Sequence, residues 1–306
     1  MTDVKDKAAK TVTRCLVSAA VLLILCVPAM AAGRLTVFVS ITPQKYFIKQ
    51  VGHGLVDVKV MVPPGANPAT YEPRPGQMTA LSAARLYFAI GVPFERAWLD
   101  RIAAANPKMT IIHTDKNIKK RCMTSGPVEI VKRQDGNCQN GYDPHIWLSP
   151  PLVKKQVSTV IAALKNADPV NAHAYTKNGK EFMDRIDALD RELRALFDDA
   201  AGSCFMVFHP CWGYFADAYG LTQVPVQAEG KEPKPARMKE LIDYAKKTGL
   251  RVILVQPQFS SKSARAIADA IGGKIAVADP LAENWLENLY NISKIIKTAS
   301  AKCPRL

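Results

Sequence analysis

Pro169–Ala200, PVNAHAYTKNGKEFMDRIDALDRELRALFDDA, decides how the chain is organised. Its apolar positions Tyr175, Phe182, Ile186, Leu189, Leu193 and Leu196 recur at threes and fours, the spacing that lays one stripe along one face of an α-helix. Asp168 and Pro169 supply an N-cap and a first-turn proline, and Gly202 supplies the stop. Some thirty helical residues reach about 45 Å, the span of a whole domain. The segment predicts one long, rigid helix joining two lobes.

Working outward, each side of this helix alternates short apolar runs with helical patterns. Before it come LTVFVS (35–40), VDVKVMV (56–62), LYFAIG (86–91) and MTIIH (109–113), separated by helical stretches at 43–51, 77–85 and 94–105. Residues 114–142 lose the apolar period and read as an exposed loop, and helix returns at 151–166. After the long helix come CFMVFH (204–209), LTQVPV (221–226), RVILVQ (251–256) and KIAVAD (274–279), with helices at 212–219, 235–248, 261–271 and 284–298. Such alternation predicts an α/β fold of two lobes, each a mainly parallel sheet flanked by helices. The expected segments are an export signal (1–31), an N-terminal lobe (32–168), the linking helix (169–201) and a C-terminal lobe (202–306).

The export signal rests on Lys5, Lys7, Lys10 and Arg14 ahead of LVSAAVLLILCV (16–27), followed by Pro28, Ala29, Met30 and Ala31 in a small-x-small pattern. The apolar run is too short for a membrane span. Cleavage near Ala31 or Ala32 is expected, giving a periplasmic or otherwise extracytoplasmic product. Leu25 before Cys26 argues against a lipid anchor. Loss of the leader takes four Lys/Arg and two Asp/Glu from a chain of net charge +14, leaving +12. The basic clusters at 116–121 and 231–239 lack interleaved aromatics, so they read as solvated faces and not as nucleic-acid surfaces. Five cysteines remain, an odd count. Cys122 and Cys138 flank the polar loop and suit a disulfide, Cys204 and Cys303 form a possible second pair, and Cys211 is left over. No CxxC spacing supports a thiolate zinc cluster.

Three residues stand out as possible ligands. His145 lies in GYDPHIWLSP (141–150), where a polar segment gives way to a helix. His209 and Asp279 end their strands, each followed by proline, at the carboxyl edge where α/β sheets bind ligands. Singly, each has an ordinary structural reading: a hydrogen-bonded histidine or a capping aspartate. Together, two imidazoles and a carboxylate suit a zinc-like divalent ion.

The strings PPGANPATYEPRPGQM (63–78), LYFAIGVPFE (86–95), DPHIWLSP (143–150), VFHPCWGYFADAYGL (207–221) and the run from Glu229 to Leu289 resemble the zinc and manganese substrate-binding proteins of ABC uptake transporters. The resemblance spans roughly Leu35 to Leu289. It implies a metal held between two lobes and delivered, by a monomer, to a membrane permease, without catalysis. It implies His145, His209 and Asp279 as the second, third and fourth metal ligands. A histidine at the third place resembles zinc-type members, so Zn2+ is expected before Mn2+. At the first place, where family members carry a histidine in PHxYEP, this chain has Ala69, which cannot ligate. Water could fill that position, Glu72 or His53 could move in, or the ligand could be a chelated metal. The loop 114–142 has no histidine, so it is not expected to gather metal. Histidine ligation predicts weaker binding as pH falls through about 6 to 5.

Two other classes compete. An exported zinc hydrolase would use the open position for water, but there is no HExxH, and only Glu229 or Glu283 could serve as base. A surface adhesin is suggested by charge alone, and would show salt-sensitive binding to anionic polymers.

Overall fold

The computed structural model describes residues 33–123, 138, 141–228 and 230–303. The expected export signal at 1–31 and most of the loop 114–142 lie outside the described residues.

The first sheet contains β1 (Leu35–Val39), β2 (Val56–Val60), β3 (Leu86–Ala89) and β4 (Thr110–His113), all parallel in the order β2-β1-β3-β4. Strand β3 lies between two neighbours and is buried along its whole length, which explains why LYFA is an unbroken apolar run and not an alternating one. The helices between these strands are α1 (Thr42–Gly52), α2 (Pro75–Ala80) and α3 (Pro93–Ala105), each with a proline in its first turn, where no intrahelical N–H is needed.

Two packed helices follow, α4 (Pro150–Ala167) and α5 (Ala172–Phe197). The expected long helix is present, with its ends wound more tightly: Pro169–Asn171 and Asp198–Ala200 are 3-10 turns. The buried face of α5 is Tyr175, Gly179, Phe182, Ile186, Leu189, Leu193 and Phe197. Gly179 permits close approach to α4, since a Cβ there would sit 2.3 Å from Ile161 Cδ1.

The second sheet contains β5 (Ser203–Val207), β6 (Thr222–Pro225), β7 (Val252–Val255) and β8 (Lys274–Val277), parallel in the order β6-β5-β7-β8. Its helices are α6 (Gly213–Ala218), α7 (Pro235–Thr248), α8 (Lys262–Ala270) and α9 (Trp285–Ala299). A two-residue strand, β9 (Ala301–Lys302), pairs antiparallel with β5. It is too short to leave a periodic signal in the sequence.

Alternation along β5 divides the core. Phe205 and Val207 join a large cluster that also holds Val37 of β1, Phe182 of α5 and Trp285 of α9. Cys204 and Met206 face the other way, into a smaller cluster with Leu241 of α7 and Ile267 of α8. The large cluster is continuous from the first sheet through α5 to the second. Phe47 of α1 touches both Phe182 and Trp285, with ring centroids 6.1 and 5.2 Å away.

Cys122 and Cys138 are disulfide-bonded as expected, with Cα atoms 5.2 Å apart. The second expected pair is corrected: Cys204 and Cys303 are both free thiols. The β5–β9 register sets Cys204 opposite Ala301, so Cys303 is a diagonal neighbour and not a facing one; the two thiols meet through a hydrogen bond. Among the described residues no helix is long and apolar enough to cross a membrane.

Candidate metal centre

Both candidate histidines occupy irregular backbone beyond the sheets' carboxyl edges, where side chains are free to face a ligand. His209 leaves the end of β5. Its backbone N–H donates to Gln256 Oε1 at 3.1 Å, and its ring stacks on Phe259 with centroids 4.5 Å apart. His145 follows the Asp143-Pro144 turn, and its own N–H donates to Asp143 Oδ1 at 2.9 Å. Tyr214 from α6 donates to the Asp143 carbonyl, and Trp147 Nε1 donates to the Pro280 carbonyl at 2.7 Å, so residues of the second sheet's side fix the turn that carries His145.

The polar partners decide which ring nitrogen is available. His145 Nδ1 lies 2.7 Å from Asp143 Oδ1. A buried carboxylate only accepts, so Nδ1 carries the proton and Nε2 keeps its lone pair. His209 Nδ1 lies 2.8 Å from Gln227 Oε1, and the Gln227 amide is oriented by its Nε2 donating to the Gly230 carbonyl at 3.0 Å. His209 therefore also offers Nε2. The two rings face each other at 72° with centroids 5.3 Å apart. Two imidazoles bound through Nε2 to one tetrahedral zinc would have centroids about 5 Å apart, given Zn–N bonds of about 2.0–2.1 Å. Burial and the neighbouring His145 ring pull the His209 pKa down to about 4, against the opposing hydrogen bond to Gln227. At neutral pH its lone pair is free.

Asp279 stands one layer back. Its Oδ1 accepts from Gln258 Nε2 at 2.8 Å and from the Leu281 N–H at 2.9 Å. The flanking Gln258, Pro280 and Leu281 line the cavity that both histidines face, whereas Asp279 is not part of that wall. Among the described residues no three His, Cys, Asp or Glu side chains converge as a ready metal cluster. The structure thus brings His145 and His209 together and leaves Asp279 behind Gln258.

The remaining candidates separate clearly. Ala69 is in the cavity wall, on the side where a first ligand was expected, while Glu72 is exposed and outside that wall. His53 is exposed at the amino end of β2, the opposite edge of the sheet, so neither it nor Glu72 fills the gap as placed. His113 is half-exposed beside Asp115, and His173 is exposed on α5. Cys211 is buried beneath the site, with Gln256 Nε2 donating to its sulfur, and burial raises its thiol pKa well above the ordinary range, so it is no thiolate ligand.

Sequence reasoning placed the two imidazoles but not the groups that orient them. Asp143 had a readable signal, a carboxylate two residues before a histidine. Gln227 had none, because only the β5–β6 pairing brings it beside His209.

Residues 37–299 match the family model described as "Zinc-uptake complex component A periplasmic". The chain belongs to this family. Its members are solute-binding components of metal-uptake systems, and the two-sheet plan with one long helix is theirs. The chain is similar to a crystal structure of ZnuA, with 39% identity, TM-score 0.80 and coverage of 87% of this chain and 99% of that one. A ZnuA deletion mutant with zinc bound superposes with TM-score 0.79 at 38% identity, covering 89% of this chain and 100% of that one. The high-affinity zinc uptake system protein ZnuA of Bacillus subtilis is 29% identical over 255 residues, covering 81% of this chain and 79% of that protein.

Proposed function

We propose that this family member captures zinc outside the cytoplasm, after removal of its leader, and presents it to the permease of an ABC uptake transporter. The observation that carries the reading is the pair of imidazoles, each with Nδ1 committed to a buried acceptor and Nε2 left for a metal. Asp279 is the proposed third donor. Its Oδ2 makes no hydrogen bond among the described residues, and a change of side-chain rotamer would exchange the Gln258 contact for the metal. Two imidazoles favour zinc over manganese, which takes harder oxygen ligands. The zinc bound in a related ZnuA structure supports the same preference.

The arrangement also favours capture over catalysis. A metal-dependent hydrolase needs a free general base beside its water. Asp143 is already bonded to His145, and Glu283 forms ion pairs with Lys45 and Lys49, while the other candidate base, Glu229, lies outside the described residues. Calorimetric titration of the metal-free mature chain tests the reading. One zinc per chain is expected, bound more tightly than manganese, with His145→Ala and His209→Ala each weakening zinc by more than about tenfold, or 1.4 kcal/mol. Unchanged affinity in both variants would remove the assignment.

A further inference from the structure

The cavity in front of the two histidines is far larger than a metal ion requires. It measures about 500 Å3, within the range of about 300–1,000 Å3 found for pockets that take small organic ligands. A water occupies only about 30 Å3 of liquid volume. The walls have the character of an organic-ligand site: Val92, Trp147, Phe259 and Leu281 are apolar, and few polar groups are interspersed. Gln258 also lines the space, and its Oε1 is buried with no hydrogen-bond partner among the described residues. No Asp, Glu, Lys or Arg is among the described lining residues, and Ala69 contributes a methyl group without a donor atom. A bare dication entering here would exchange its water for two imidazoles, the Asp279 carboxylate once it turns, and apolar surface, which leaves one position of a tetrahedral zinc without a protein donor.

We infer that the ligand is zinc already held by a small organic chelator of the amino-acid or hydroxycarboxylate class. This rests on the zinc-capture reading. His145 and His209 bind one side of the metal. The chelator keeps the other side, supplies the donors this chain lacks, and lies against Ala69, Trp147 and Phe259. Gln258, whose Oε1 is buried in the metal-free chain, turns that oxygen into the space when Asp279 leaves it and accepts a hydrogen bond from the chelator's N–H or O–H group. No bond is made or broken beyond metal coordination.

The probes are zinc alone, zinc with L-histidine and zinc with citrate, each offered to the metal-free mature chain and read by native mass spectrometry and by calorimetry. The expected result is a protein–zinc–chelator complex with at least one chelator, and zinc affinity at least about tenfold higher in that mixture than with zinc alone, after correction for free chelate. Ala69→His should bind zinc alone more tightly and no longer retain the chelator. If both chelators merely strip zinc from the protein and no ternary mass appears, the inference is overturned while zinc capture stands. If no mixture leaves zinc on the protein, both fall.

Discussion

At the residue scale, the site depends on groups that never touch the cavity. Asp143 is wholly buried and fixes both the tautomer and the direction of His145. Asp143→Asn would place an amide against Nδ1, allow the proton to move to Nε2, and leave the wrong nitrogen facing the cavity. Zinc affinity should fall by about 10–100-fold, the usual cost of losing such an orienting partner, while the melting temperature changes little. Competition against a chromophoric zinc indicator measures it, and an unaltered affinity would refute the orienting role. His209 makes a second prediction. Its pKa near 4 lies below the unfolded value of about 6.5, so the neutral ring contributes stability that is complete above pH 6.5 and is lost as pH falls towards 4. The loss amounts to about 3 kcal/mol at most. Nitrogen NMR of the metal-free chain should therefore find His209 still neutral at pH 5, and a midpoint at 6 or above would contradict the geometry. Acid competition for zinc at this ring accordingly starts lower than the pH 6 to 5 window that histidine chemistry alone suggests. The imidazoles themselves were legible because proline follows one strand end and precedes one helix. Of their acceptors, Asp143 was within reach of the sequence, two residues from its histidine, and Gln227 was not, because it and His209 become neighbours only through strand pairing.

At the scale of elements, most of the fold could be read from periodicity. The stretches Val37–Val39, Leu86–Ala89, Cys204–Val207 and Val252–Val255 are apolar without a break because their strands lie inside parallel sheets, and the switch to a spacing of threes and fours marks each crossover helix. What escaped was what periodicity cannot encode: the two-residue β9, and the diagonal placement of Cys204 and Cys303, both free thiols. Gly179 is a further example. In sequence it looks like a weak spot in a helix, where alanine would normally gain about 1 kcal/mol. In the structure it faces α4, with Ile161 in the space a side chain would need. Gly179→Val should therefore destabilise, by about 1–3 kcal/mol, the cost typical of overpacking. Urea denaturation reads the change directly. A more stable variant would mean that α4 yields at this crossing.

At the scale of the whole molecule, the two sheets do not behave as separate bodies. The large apolar cluster runs from β1 through α5 into β5 and α9, and the indole hydrogen bonds extend the connection: Trp285 Nε1 donates to the Trp147 carbonyl, and Trp147 Nε1 donates to the Pro280 carbonyl, both at 2.7 Å. Removing one sheet would expose Phe47, Phe182 and Trp285 together, so neither half retains a closed core alone. The same indoles hold the turn of His145 against the exit of β8, which couples the stability of the frame to the position of the site. Calorimetric unfolding of the metal-free mature chain should therefore show a single transition, with calorimetric and van't Hoff enthalpies in agreement. Zinc at about 100 times its dissociation constant should add about 2.7 kcal/mol to that transition without dividing it. Two resolved transitions, with zinc shifting only one, would instead make the lobes independent and leave the cation bound to one of them.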